Sequence, residues 1–146
     1  MNKPINILVT GCNGRMGKAI INCASNHSEL LISNGIDIGD ALDDYLDDCD
    51  VVIDFSTHAF TTELVEKCAS KDKSIVIGTT GHSDDELIAI KNSSKSVPIV
   101  MAPNFSVGVN TLFWLTKKTA EILGEDFDLE IIEMHHRQKI DAPSGT

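Results

Sequence analysis

The segment Ile5-Asn6-Ile7-Leu8-Val9-Thr10 runs directly into Gly11-Cys12-Asn13-Gly14-Arg15-Met16-Gly17. Its first part reads as a short apolar strand covered on both faces. The second has the spacing G-x-x-G-x-x-G, a relative of the dinucleotide fingerprint G-x-G-x-x-G. Gly11 is expected to let the chain turn sharply after the strand. Gly14 should let backbone approach a pyrophosphate, and Gly17 should let the next helix pack close to the sheet. That helix, read from Lys18 to Ser25, would offer unpaired N–H groups and the positive end of its dipole to phosphates. Cys12, Asn13, Arg15 and Met16, which lie between the glycines, enter the candidate nucleotide site with them. Strand, glycine turn and helix in this order fit the first βαβ unit of a parallel sheet.

A third element of the fingerprint is an acid about 20 residues on, at the end of the second strand. Leu30 to Asp37 supplies it, with Asp37 20 positions after Gly17. A carboxylate there accepts from both ribose hydroxyls and repels a 2′-phosphate. Its neighbour is Ile38 rather than Arg or Lys, which favours NADH over NADPH. Arg15 and Lys18 are the side chains that could reach a 2′-phosphate. Asp37 would equally suit the start of a turn before Gly39.

Strands and helices then alternate. Val51 to Phe55 is a third strand ending in Ser56-Thr57-His58, and a helix is expected from Ala59 to Ser70. Ser74 to Ile77 is a fourth strand, followed by the loop Gly78-Thr79-Thr80-Gly81. Ser83-Asp84-Asp85-Glu86 is a capping box for the next helix. Val97 to Met101 is another strand, with Ala102-Pro103-Asn104-Phe105-Ser106 after it. A long helix is expected from about Asn110 to Leu123, and a final strand from Leu129 to Met134. This rhythm predicts an α/β fold, a Rossmann-like doubly wound parallel sheet with helices on both faces. Ligands bind such sheets at the carboxyl ends of the strands. Gly78, Thr79 and Thr80 could therefore meet a nicotinamide ribose or ring. Ala102, Pro103, Asn104 and Phe105 share that edge, where Asn104 could hydrogen-bond a carboxamide or hold the loop itself.

Composition narrows the partners. At 146 residues and a net charge of −10, the chain is a poor match for nucleic acid or an anionic membrane surface. The acids between Asp40 and Asp50 read as a solvated face around a short helix. No apolar run approaches the ~18 residues of a membrane span, and nothing at the start reads as a signal peptide. Cys12, Cys23, Cys49 and Cys68 lack C-x-x-C spacing and read as reduced thiols in a cytoplasmic protein.

The run from Glu130 to Thr146 brings His135, His136, Arg137 and Lys139 beside a Pro-Ser-Gly-Thr turn. Such a cluster suits a small anion that must be bound and protonated. If His135 and His136 both lay in a strand they would point to opposite faces, so one ligand could use both only where the strand ends between them. A metal site from Glu133, His135, His136 and Asp141 has suitable ligand types but irregular spacing; no metal is expected.

With these residues in view, the chain resembles the 4-hydroxy-tetrahydrodipicolinate reductase (dihydrodipicolinate reductase) family. The resemblance rests on Gly-Arg-Met-Gly at Gly14 to Gly17, Gly-Thr-Thr-Gly at Gly78 to Gly81, and Asn-Phe-Ser-x-Gly at Asn104 to Gly108. It rests most on Glu-x-His-His-x-x-Lys-x-Asp-Ala-Pro-Ser-Gly-Thr at Glu133 to Thr146. Gly11 to Gly17 alone would also suit nucleotide-sugar epimerases. Short-chain epimerases and dehydrogenases, however, need Tyr-x-x-x-Lys, and Tyr45 is followed four residues later by Cys49.

The resemblance implies NADH- or NADPH-dependent reduction of a cyclic imine dicarboxylate in diaminopimelate and lysine biosynthesis. It implies His135 and Lys139 as the acid/base pair and His136 as a substrate-binding residue, with Ser144, Gly145 and Thr146 gripping a carboxylate. A homo-oligomer, in the family a homotetramer, is implied as well. Residues 1–126 would form the dinucleotide-binding domain and 127–146 the start of a mixed α+β substrate-binding and oligomerisation domain. Because the chain stops inside the family signature, two expectations stand. It is a piece of a longer polypeptide, or it is a truncated NAD(H)-binding domain without activity of its own.

Overall fold

The computed structural model describes residues 3–135 and Arg137. The strands β1 (Ile5–Thr10), β2 (Leu30–Ile36), β3 (Val51–Asp54), β4 (Ser74–Ile77) and β5 (Ile99–Met101) form an all-parallel sheet. Their order is β2-β1-β3-β4-β5. The connecting helices are α1 (Arg15–Ala24), α2 (Asp43–Leu46), α3 (His58–Ser70) and α4 (Asp84–Ser93), and α5 (Val107–Leu123) follows β5. This is the doubly wound, Rossmann-like α/β architecture that the alternating pattern predicts. Two compact units divide the chain, Met1–Ala102 and Pro103–Thr146, and the sheet lies in the first.

From β1 the chain steps to one side to make β2, then crosses back to make β3 and continues outward. Right-handed crossovers therefore put α1 on one face and α2, α3 and α4 on the other. The main core fills the second face. Leu8, Val52, Ile75 and Ile77 of the strands meet Leu46 of α2, Leu64 and Val65 of α3, and Ile90 of α4. Each such side chain contributes about 1.5–3 kcal/mol by leaving water. The acidic face expected around α2 is only partly solvated. Lys67 Nζ donates to Asp43 Oδ2 at 2.7 Å and Lys71 Nζ to Asp47 Oδ1 at 2.9 Å, so α3 answers part of its charge.

Local chemistry sets the element ends. The expected capping box is present: Ser83 Oγ accepts from the Glu86 N–H at 3.3 Å, and Glu86 Oε2 accepts from the Ser83 N–H at 2.6 Å. Helix α1 begins at Arg15 rather than Lys18, so its first turn belongs to the glycine loop itself. Strand β5 begins at Ile99 rather than Val97, because Pro98 has no N–H for the ladder. Its carbonyl still accepts from the Ile75 N–H at 3.0 Å.

The expected final strand from Leu129 to Met134 is a correction. These residues are outside any ladder and exposed, Met134 to 91%. A strand needs a neighbour for its N–H and C=O groups, and apolar β-formers alone do not supply one. Helix α5, in the second unit, begins at Val107 rather than Asn110. Ser106 caps it, with Oγ accepting from the Val109 N–H at 3.3 Å, and Asn110 Nδ2 reaches back to Asn104 Oδ1 at 3.1 Å.

Two glycines hold the turn between β1 and α1. Gly11 has φ +71°, and a Cβ there would sit 2.4 Å from the Phe55 carbonyl oxygen. A Cβ on Gly17 would sit 2.3 Å from the Gly11 oxygen and 2.6 Å from Cys12 Cα. Gly17 thus lets the helix press against the loop that precedes it. Gly17→Ala is expected to cost about 1–3 kcal/mol in urea unfolding, the usual scale of overpacking. Gly14→Ala should cost less than half as much, since its Cβ would meet only the Gly11 oxygen, at 3.1 Å. Equal losses would contradict this division of roles.

Candidate nucleotide-binding site

The winding reverses between β1 and β3, and open α/β sheets bind ligands at such a switch point. A cleft of about 360 Å³ lies there, lined by Thr10, Gly11, Gly14, Asp37, Ser56 and Phe60 among others. Gly14 is the N-cap of α1; it offers no side-chain cap, and the first turn contains no acid. The leading N–H groups and dipole of α1 are therefore left for an anion.

Asp37 stands at the other wall. Its Oδ2 accepts from the Asn13 N–H at 2.9 Å, and its Oδ1 accepts from the Ile38 N–H at 2.9 Å. Its own N–H donates to Asp40 Oδ2 at 2.8 Å. Asp37 thus begins a turn and faces the cleft as well. The Ile38 N–H, then that of Asn13, hold its carboxyl below the usual carboxylate range, and Lys18 adds a smaller attraction. Glycine loop and acid, 24 residues apart at Asn13 and Asp37, are tied by one hydrogen bond.

The other predicted loop residues divide. The side chain of Cys12 turns toward β2, where a Cβ on Gly35 would lie 2.9 Å from Cys12 Cβ. Burial first, then Asp37 and Asp40, push its thiol up, which keeps it neutral beside the glycine loop. Arg15 and Met16 are exposed on the first turn of α1. Gly78 follows β4, its N–H donating to the Asp54 oxygen at 2.8 Å, and the Phe55 ring packs against it. Thr79 is only 7% exposed, and its hydroxyl is buried without a hydrogen-bond partner. Such a group invites a ligand. Thr80 is exposed. Neither threonine lines the 360 Å³ cleft, although Phe55 touches both places.

Ala102 closes the first unit, its N–H donating to the Ile77 oxygen at 3.3 Å. Pro103, Asn104 and Phe105 open the second. Asn104 holds its own loop: Oδ1 accepts from the Ser106 N–H at 3.0 Å, while Nδ2 is buried and unpartnered. His135 Nε2 lies 3.0 Å from Glu133 Oε2. His136, Lys139, Ser144, Gly145 and Thr146 lie outside the described residues, as does Asp141 of the metal alternative. Among the described residues no group of three or more His, Cys, Asp or Glu is placed to hold a metal.

Several cleft features escaped sequence reasoning. Ile38, 95% exposed, and Phe60 add apolar walls. Ser56, by contrast, belongs to the loop Ser56 to His58 that the sequence places at the ligand-binding edge, and it lines the cleft. Asp54 was read as an ordinary strand residue, though its position between apolar residues and Ser56-Thr57 is unusual for a charge.

The glycine cradle, the Asp37 carboxylate and the orphaned Thr79 hydroxyl fit a dinucleotide in donor and acceptor type. Among the described residues no helix is long and apolar enough to cross a membrane. Comparison with known proteins agrees with the geometry. The family model "Dihydrodipicolinate reductase, N-terminus" matches residues 5–105, and "Dihydrodipicolinate reductase, C-terminus" matches residues 108–146. The 4-hydroxy-tetrahydrodipicolinate reductase of Akkermansia muciniphila is 52% identical over 97% of this chain and 58% of its own length. That of Desulfotalea psychrophila is 42% identical over 96% of this chain and 61% of its own. The chain therefore spans about three-fifths of the length of these relatives. A solved dipicolinate-bound dihydrodipicolinate reductase from Paenisporosarcina sp. TG-14 superposes with a TM-score of 0.75 at 26% identity, covering 97% of this chain and 62% of that one. With a glycine-loop cleft at the switch point and the two family models together matching almost all its length, the chain belongs to the dihydrodipicolinate reductase family.

Proposed function

We propose that this chain forms the nucleotide-binding part, and opens the substrate-binding part, of an NAD(P)H-dependent 4-hydroxy-tetrahydrodipicolinate reductase. The enzyme would act in the cytoplasm, in diaminopimelate and lysine biosynthesis, as a homo-oligomer. Residues 1–126 would carry the nucleotide and 127–146 the first substrate contacts. The observation that carries this reading is the single cleft in which the glycine loop and Asp37 are joined through the Asn13 N–H.

A bound nicotinamide nucleotide would supply hydride to the cyclic imine dicarboxylate. The leading N–H groups of α1 would hold its pyrophosphate, and Asp37 would accept from ribose hydroxyls. The buried Thr79 hydroxyl would take a polar group further along the edge. Asp37, with uncharged Ile38 beside it, favours NADH over NADPH. Glu133 fixes the ring of His135, which with Lys139 would deliver the proton. His136, Ser144, Gly145 and Thr146 would hold the substrate carboxylates, keeping the ring in place for transfer.

The chain is expected to bind NADH in the micromolar range or weaker by calorimetry. Gly14→Val should fold yet abolish that binding, because its side chain enters the space a pyrophosphate needs. Absence of binding by folded wild-type chain would contradict the assignment.

Asp37→Ala should weaken NADH roughly tenfold, the scale of a charge-assisted hydrogen bond, and NADPH less. Because the Asp37 carboxyl is lowered in the folded chain, it is ionised above the ordinary value near 4. Its contribution is present there and is lost only as pH falls through the lowered value. The NADH affinity difference between wild type and Asp37→Ala should therefore stay constant from about pH 5 to 8. A difference that changes across neutral pH would contradict this.

In a chain of the relatives' full length, Lys139→Ala and His135→Gln should each lower kcat by roughly 10²–10⁴-fold, as for a lost proton donor. His136→Gln and Thr146→Val should act mainly on KM. Near-normal turnover in both Lys139→Ala and His135→Gln would leave the signature a structural loop.

A further inference from the structure

Beneath the cleft lies a carboxyl group to which the nucleotide reading gives no role. Asp54, the last residue of β3, has 0% of its surface exposed. Its Oδ1 accepts from Thr10 Oγ1 at 2.6 Å, Ser56 Oγ at 2.5 Å and the Ser56 N–H at 3.1 Å. Its Oδ2 accepts from Thr61 Oγ1 at 2.9 Å. Four donors from three elements converge on one buried side chain, which is how a carboxyl group withdrawn from water is kept satisfied. Sheet register explains the meeting. Thr10 and Asp54 are aligned partners of β1 and β3, on the same face as α3, which brings Thr61.

Two residues of this cage also form part of the wall of the cleft. Thr10 and Ser56 both line it, whereas Thr61 does not. A hydroxyl has one proton and two lone pairs. With their protons committed to Asp54, Thr10 and Ser56 can show a ligand only lone pairs. The opposite side of the cleft has the reverse character: the Gly14 N–H is taken by the Gly11 oxygen at 3.0 Å, but the N–H groups of the first turn of α1 that follow it carry no side-chain cap. The cleft is thus polarised, with donors at α1 and acceptors at the end of β3.

We propose that Asp54 is a positioning residue that makes Ser56 an obligate acceptor, so that Ser56 takes a ribose hydroxyl of the bound nucleotide and turns phosphate toward α1. This rests on the nucleotide reading and adds the determinant that orients the nucleotide within the cleft. The hydroxyl of Ser56 is the contacting group. Asp54 acts through it and never meets the ligand.

The test is calorimetry on the whole chain, with NADH and with NADH analogues that each lack one ribose hydroxyl. Ser56→Ala should weaken NADH two- to tenfold, about one neutral hydrogen bond, and should cost nothing for the one analogue that lacks the partner hydroxyl. Ser56→Thr should restore binding. Asp54→Asn, which places an amide donor among the hydroxyls, should weaken NADH at least as much. Thr61→Val removes a bond to the same carboxyl on the side away from the cleft. It should lower Tm and leave every Kd unchanged, separating positioning from stability. If Asp54→Asn fails to fold, Ser56→Ala and Thr61→Val still decide. Loss of affinity in Thr61→Val equal to that in Ser56→Ala, or no analogue dependence in Ser56→Ala, would overturn the proposal. Wild-type chain that binds no NADH would bring down the nucleotide reading with it, whereas normal wild-type binding with a silent Ser56→Ala would bring down this inference alone.

Discussion

The backbone of Gly11 is packed from two sides, and the rest of the first unit is arranged around that contact. The Phe55 carbonyl approaches from the end of β3, and Gly17 brings α1 down onto the Gly11 oxygen. Neither approach leaves room for a Cβ, and the positive φ of Gly11 turns the chain between them. Because of that turn, α1 starts at the edge of the sheet with its N–H groups at the cleft. Parallel pairing of β1 with both β2 and β3 then sets Asp37 on one side of the loop and Ser56 on the other.

Charge in the cleft follows from the same geometry. The chain carries a net charge of −10, yet the acids at the site are held for definite tasks. Asp37 is fixed by backbone N–H groups of the loop and of its own turn. Asp54 is enclosed by hydroxyls that would otherwise be free to donate. Among the described residues that line the cleft, the end of α1 is the side that offers uncapped N–H donors, and there the proposed reading seats the phosphates. A second tie at the same edge joins His58 Nδ1 to Glu86 Oε1 at 2.9 Å, linking the start of α3 to the capping box of α4. Segments at this edge are thereby held by side-chain contacts independent of the core.

Elements with local causes were legible in the sequence. The extents of β1 and β4, the capping box at Ser83 and the acid after β2 depend on residues close in the chain, and each stands where its residues placed it. What depends on a partner was not legible. Leu129 to Met134 has the composition of a strand, but pairing is a property of two segments, and among the described residues no second one lies beside it. The role of Asp54 was hidden for a related reason. Its partners Thr10 and Thr61 lie 44 and 7 residues away, and it takes the β1–β3 register and the packing of α3 to bring them together. Ile38 and Phe60 could not be assigned to the cleft, since exposure of an apolar side chain is a fact of three dimensions. Family resemblance reached further, naming His135 and Lys139 as the proposed pair, because a motif carries roles that no local pattern implies.

Whether the glycine loop and Asp37 hold a nicotinamide dinucleotide is read most directly from backbone amide resonances of the labelled chain during titration with NADH. The amides of Asn13, Gly14, Arg15 and Met16 should move most, with those of Asp37, Ile38 and Ser56 next, and all should saturate together. The alternative outcome is movement centred elsewhere, for instance on the surface groove between α3 and α4 around Glu66 and Asn92, with the glycine loop unmoved. That result would contradict the assignment of the cleft.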